Sequence, residues 1–294
     1  MKESSFEILL QDLKISFRFA WKNVISYVLA MIGVLIVAGV LMVIVAAAIM
    51  VPVILAWGIE PMTQFFVSLG QNWSALQGAE LFSWVMFLAI PLLGPFFVAL
   101  GALFGMAREI VESDGTTAEG VFVWYRKKFL SLAGGGVVLF LVSVMPIALM
   151  SIWALTVTGG FMGGSMLGLP MAATAAFAVV WFVMTTGMLS MLFPGIIDGL
   201  SVLGAVKQSV RLSRHHFDRV YGTWLSYIAA FILLSALTVV LIPVGVIASL
   251  ALVFLGLPAM TIGLIRVYLI LTDNPNATEA TEDEGPDVRL VGGV

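Results

Sequence analysis

Before the first long apolar run, hydrophobic and polar residues keep a helical period. Phe6, Leu9, Leu10, Leu13, Phe17, Ala20 and Trp21 recur at three- and four-residue spacing, while Glu7, Gln11, Lys14, Arg18 and Lys22 fall on the other side of the same helix. An amphipathic helix over about 5–22 is predicted, opened by Ser4-x-x-Glu7, whose hydroxyl and carboxylate can satisfy backbone N–H groups that no helical carbonyl reaches. The device recurs. Thr116-x-x-Glu119 opens a segment ending in Val123-Trp124-Tyr125-Arg126-Lys127-Lys128, predicted as a helix over about 116–128. Another is predicted over about 200–219, with Leu203, Val206, Val210 and Phe217 on one face and Lys207, Arg211, Arg214 and Asp218 on the other.

Between these segments lie four stretches without any Asp, Glu, Lys or Arg: 23–59, 81–107, 129–197 and 220–265. Each exceeds the roughly 20 residues that cross a bilayer as helix. Lys and Arg gather in short cytoplasmic loops. Here they cluster over Lys2–Lys22, Arg108–Lys128 and Lys207–Arg219, with Arg266 alone before the end of the last stretch. The connections around 60–80 and 159–170, and a turn expected near 246–250, carry no base and are assigned outside. Two crossings in the first stretch would put Arg108, Arg126, Lys127 and Lys128 outside, so that stretch crosses once. Six crossings follow, near 24–52, 81–108, 130–157, 171–197, 222–246 and 249–272, in a plasma membrane with both termini cytoplasmic. Glu3, Glu7 and Asp12, with so long a first apolar run, speak against a cleaved signal.

The fold class expected is an all-α membrane protein of six transmembrane helices, arranged as three parallel repeats of a cytoplasmic amphipathic helix plus a transmembrane hairpin. Ile110 to Ile196, Thr116 to Val202 and Phe129 to Phe217 are offsets of 86, 86 and 88 residues. Two crossings per unit leave every copy in the same orientation, unlike inverted-repeat transporters.

Composition agrees. Hydrophobic residues make up 61% of the 294 and charged residues 11%, against about 45–50% and about 25% in soluble domains. That excludes a nucleic-acid binder and a soluble enzyme, and the absence of cysteine excludes disulfides and thiolate metal sites. The net charge of -3 is unevenly spread, because segment 273–294 holds six acids against Arg289 alone. Few large apolar residues occur there, so an acidic disordered cytoplasmic tail is expected.

Three short motifs carry a resemblance: Phe19-Ala-Trp-Lys-Asn23 at the first crossing, Pro194-Gly-Ile-Ile-Asp198 followed by Ala205-Val-Lys-Gln-Ser209, and Pro258 leading to Arg266-Val-Tyr-Leu-Ile270. Over about 10–272 the chain resembles prokaryotic membrane-only proteins related to the membrane domain appended to some glycerophosphodiester phosphodiesterases. The resemblance implies a six-helix membrane domain of largely unassigned function. It does not imply the phosphodiesterase activity, which belongs to a soluble barrel for which this chain has no room.

Candidate chemistry is sparse. The interfacial set is Lys14, Arg18, Trp21, Lys22, Trp124, Arg126, Lys127, Lys128, Lys207, Arg211 and Arg214, which suits anionic headgroups. Asp198, after Pro194-Gly195, is the one polar-site candidate, expected to pair with Arg211 or Arg214 or to start the following segment. Adjacent His215 and His216 point about 100° apart and make no zinc set. Met162, Met166, Met184 and Met188 are soft ligands that read as packing. No metal or cofactor is expected. The partners expected are the bilayer, its anionic headgroups and a membrane or cytoplasmic protein. The function expected is a non-enzymatic membrane-organising or partner-docking subunit. A transporter or channel for an apolar or lipid-like substrate is the alternative, with Thr158, Thr174, Thr185, Thr186 and Ser190 along its path.

The arrangement predicts that in intact cells a cysteine at Ser74 reacts with an impermeant thiol reagent and one at Ser213 does not. Labelling at Ser213 would overturn the six-crossing topology.

Overall fold

In hydrocarbon every backbone N–H and C=O must be paired within the segment, which for a long apolar run leaves the helix. A computed structural model describes residues 5–71, 78–113, 116–157, 169–240 and 242–273, and among these it has no strand. The helices are α1 (Ser5–Lys22), α2 (Val24–Trp57), α3 (Ile59–Gln71), α4 (Gly78–Ser113), α5 (Gly120–Lys127), α6 (Phe129–Ser143) and α7 (Met145–Val157). After them come α8 (Leu169–Met188), α9 (Leu192–Ile197), α10 (Val202–His215), α11 (Phe217–Val240), α12 (Ile242–Ala251) and α13 (Leu257–Asp273). A π-helical turn, Leu252–Gly256, joins the last two.

Six helical stretches among the described residues are long and apolar enough to cross a membrane. They are Val24–Trp57, Leu93–Ser113, Phe129–Ala154, Ala172–Ile197, Phe217–Ala236 and Ile247–Thr272. Each overlaps one predicted crossing, and the differences have physical causes. The connection predicted around 60–80 is largely helical, since α3 ends at Gln71 and α4 begins at Gly78. The turn expected near 246–250 falls inside α12; α11 ends at Val240 and α12 begins at Ile242. Pro243 explains that shift, because proline fits the first turn of a helix, where its missing N–H has no partner to lose. At its other end α11 starts at Phe217, earlier than the predicted 222, taking in Asp218 and Arg219. The 159–170 connection and the 274–294 part of the acidic segment lie mostly or wholly outside the described residues, as do Ser4 and Ser74.

The chain divides into two compact units. One comprises Met1–Leu35, Val98–Gly135 and Gly187–Val294, the other Ile36–Phe97 and Gly136–Thr186. In the first, α1 packs on α11 and α13, and α10 packs on α9 and α11. Tyr27 of α2 donates its hydroxyl to the Leu103 carbonyl of α4 at 2.8 Å and lies against the Thr261 hydroxyl of α13. Three helices meet at that one buried phenol.

In the second unit, Pro146 interrupts the helical ladder one residue into α7. A proline at 146 leaves the carbonyl at 142 without its helical donor. Trp181 of α8 supplies one, its indole N–H donating to the Val142 carbonyl at 2.9 Å. Phe177 stacks on the same indole at 5.6 Å between centroids. A membrane helix tolerates its proline here because a neighbour pairs the freed group.

Candidate functional site

The end of the first unit where α1, α5 and α10 lie contains most of the charge, and the structure sorts it into two classes. Lys14, Arg18, Arg126, Lys127, Lys207, Arg211 and Arg214 are exposed, as are Trp21 and Lys22, whereas Lys128 is half-buried. Three acids close to the spans, Asp12, Glu109 and Asp198, are held by partners on other helices.

Asp12 is the deepest. Residues 12, 16 and 20 share one side of α1, and Asp12, Ser16 and Ala20 are all buried, as is Asn23 just after it. Helical geometry sets this line between the apolar and the charged positions that periodicity picks out, so α1 has three faces. Phe6, Leu10, Phe17 and Trp21 remain exposed. The Asp12 carboxylate receives Arg219 of α11 through Nε at 2.9 Å and Nη2 at 3.2 Å. Arg266 of α13 donates to the same carboxylate through Nη1. Side-chain exposures of 3% for Asp12, 13% for Arg219 and 4% for Arg266 put the contact out of solvent. A charge buried to this degree is tolerated only when paired and hydrogen-bonded. Thr223 and Tyr227 follow Arg219 along the same side of α11, both fully or almost fully buried, and the Tyr227 hydroxyl lies beside Ser16. Gly263 makes room for Tyr227 and Ser16: a Cβ there would stand 2.6 Å from the Tyr227 hydroxyl and 3.0 Å from Ser16 Oγ.

Asp198 caps the C-terminus of α9. Its carboxylate pairs with Arg108 of α4 at 2.9 Å rather than with Arg211 or Arg214. Arg108 also holds Glu112 at 2.7 Å. Tyr268 of α13 donates to Asp198 at 3.2 Å and accepts from Gln208 of α10 at 3.2 Å. Nor does Asp198 start α10. That is done by Ser201, whose hydroxyl accepts the Gly204 N–H at 3.2 Å.

α5 is pinned by Glu109 of α4. One carboxylate oxygen accepts the Trp124 indole N–H at 2.7 Å and the other the Thr116 hydroxyl at 2.6 Å. The predicted Thr116-x-x-Glu119 cap is therefore not made; Glu119 at the start of α5 caps nothing with its side chain. The Trp124 ring presses on Gly105, where any Cβ would come within 2.3 Å of it. Its N–H is thus committed to protein instead of to a headgroup, and Lys127 Nζ lies 5.4 Å over the ring.

α10 is docked by hydroxyls. The helix predicted over 171–197 breaks between α8 and α9, and Ser209 spans the break, donating to the Met188 carbonyl at 2.7 Å and accepting the Met191 N–H at 3.2 Å. Ser213 reaches the Met188 carbonyl at 3.3 Å. Because Ser213 is buried, at 1% exposed, its failure to label would be uninformative, and Lys207→Cys is the better reporter of topology. The buried side of α10 is Ala205, Ser209, Leu212 and Ser213, not the apolar row containing Leu203 and Phe217, both of which stay exposed.

His215 Nδ1 lies 2.9 Å from the Arg211 carbonyl oxygen. Burial, with the neighbouring His215 and Arg219, holds the His216 imidazole below its ordinary range. Among the described residues no group of three or more His, Cys, Asp or Glu is placed to hold a metal ion. Met184 is exposed on α8, while Met162 and Met166 lie outside the described residues.

No family model, no curated protein and no solved structure matches the chain.

Sequence periodicity places the bases on exposed helix faces but does not give the partners of the acids. Asp12 lies off the charged row of α1, which is the one local signal for it. Glu109, Arg108 and Tyr268 find partners 7 to 90 residues away, and no spacing encodes those.

A substitution pair tests the Asp12 cluster. Gly263→Ala should destabilise by about 1–3 kcal/mol through overpacking, read as a lowered unfolding temperature in detergent. Tyr227→Phe, which deletes the hydroxyl that a Cβ at 263 would meet, should cost no more than about 1.5 kcal/mol by itself and should recover most of the loss in the double variant. No recovery would mean that Tyr227 is not what Gly263 accommodates.

Proposed function

We propose that the protein is a non-enzymatic integral membrane subunit that organises the bilayer or docks a partner. Its working surface is the exposed basic side of α1, α5 and α10, facing the cytoplasm. The observation that carries this reading is the division of charge. Asp12, Glu109 and Asp198 are each consumed by intramolecular partners, while Lys14, Arg18, Arg126, Lys207, Arg211 and Arg214 point outward. In α1 the exposed Phe6, Leu10 and Trp21 stand beside Lys14 and Arg18. An apolar row next to a basic row suits the boundary between acyl chains and headgroups.

The three basic helices with their following crossings are read as parallel repeats. What supports this is that each of α1, α5 and α10 precedes two of the six candidate spans. All three also dock through a polar side chain, Asp12, Trp124 or Ser209, although the chemistry differs each time.

Transport of a small apolar or lipid-like substrate is the second reading. The break between α8 and α9 and the π-helical turn before α13 favour it, since discontinuous helices line substrate paths. Against it, Thr185, Thr186 and Ser190 already donate their hydroxyls to carbonyls of α8, those of Trp181, Phe182 and Gly187.

Protein extracted with its surrounding lipid into polymer discs should be enriched in anionic over zwitterionic lipid relative to the whole membrane. Each surface base contributes about 1 kcal/mol of attraction. Changing Lys14, Arg18, Lys207, Arg211 and Arg214 to Gln should therefore abolish the enrichment measured by lipid mass spectrometry. An unchanged lipid ratio would contradict the proposal.

A further inference from the structure

We infer that the acidic segment 274–294 is an intramolecular occupant of the basic row on α10, so that it competes with anionic headgroups for Lys207, Arg211 and Arg214. The inference rests on the headgroup reading above and adds a regulator to it.

Three observations carry it. The first is the row itself. Positions 207, 211 and 214 are four and three residues apart, which places them on one side of α10 over roughly 11 Å of helix. All three are exposed, and none takes part in an ion pair among the described residues. Serine hydroxyls and small residues hold the opposite side of α10 against the α8–α9 break, so the bases are presented on a fixed support.

The second is charge complementarity. Glu279, Glu282, Asp283, Glu284 and Asp287, against Arg289, give segment 274–294 a net charge of -4. Three of the five acids are consecutive. The segment has no aromatic residue and few large apolar ones, so charge is what it offers to a partner.

The third is reach. The Gln208–Tyr268 hydrogen bond of 3.2 Å puts the middle of α10 against α13. α13 ends at Asp273, five residues past Tyr268, or about 8 Å of helix. Glu279 and Asp287 are six and fourteen residues beyond that point, which an extended chain converts to at most roughly 20 and 50 Å. The acids can therefore lie along the row without moving any helix. Tethering by so few residues gives a local concentration in about the millimolar range, enough for weak exposed pairs to compete with lipid. The same pairs are screened by salt.

The chain lacks cysteine, so spin labels can be placed at Leu203→Cys on α10 and Thr281→Cys in the acidic segment without background. In phosphatidylcholine nanodiscs at low salt, double electron–electron resonance should show a short-distance population. It should disappear at about 1 M salt, in Lys207→Gln/Arg211→Gln/Arg214→Gln, and in Glu279→Gln/Glu282→Gln/Asp283→Asn/Glu284→Gln/Asp287→Asn. The last variant changes no residue of α1 to α13, so their packing is not at risk. Absence of the short population, or its persistence in both sets of variants, overturns the inference. Nanodiscs containing one-third phosphatidylglycerol separate it from the headgroup reading. A short population lost on adding that lipid supports competition. One that persists there leaves the acidic segment on α10 but denies that headgroups bind the row.

Discussion

A single carboxylate, Asp12, receives guanidinium groups from Arg219 and Arg266, and through them α1 is fastened to α11 and α13 across 207 and 254 residues of chain. Because a buried charge is costly unless paired, removing the shared carboxylate is the most damaging change to this contact. Much follows from it. With Asp12, Ser16 and Ala20 turned inward, the exposed sides of α1 are fixed as one apolar row and one basic row. The Tyr27 junction with α4 and α13 then continues the same packing into the spans.

The same rule, that a polar group away from water must find a partner, explains how the other interruptions are tolerated. Pro146 frees the Val142 carbonyl and Trp181 pairs it. The break between α8 and α9 exposes a carbonyl and an amide, and Ser209 serves both. Glu109 takes up the Trp124 and Thr116 donors that would otherwise compete for water. In each case a polar contact between helices substitutes for the hydrophobic effect, which drives little association where the solvent is itself apolar. Lys14, Arg18, Arg126, Lys127, Lys207, Arg211 and Arg214 meanwhile remain exposed.

The sequence made the helices legible and their contacts obscure, for one reason. Hydropathy and period are local properties, so the charge-free stretches located six spans, and the bases of α1, α5 and α10 were identified as exposed. Pairing is not local. Arg219 and Arg266 read as ordinary markers of a cytoplasmic end because hydropathy counts a charge without knowing its counter-ion. Asp198 looked toward Arg211 and Arg214, near in sequence, but met Arg108 of a different helix. Trp124 carried the composition of an interfacial anchor, yet Glu109 and the bare surface of Gly105 drew it into the protein. The turn expected near 246–250 failed on Pro243, whose effect depends on whether it lies within a helix or in its first turn.

The most direct test of this account is a double-mutant cycle on Asp12 and Arg219, with unfolding free energy measured in detergent for Asp12→Ala, Arg219→Met and the double variant. If the pair is the buried fastening of α1, Asp12→Ala should cost about 3–5 kcal/mol, and the double variant should be milder than the sum of the singles by well over about 1 kcal/mol. Additive losses below about 1 kcal/mol each, as for an exposed ion pair, would contradict it.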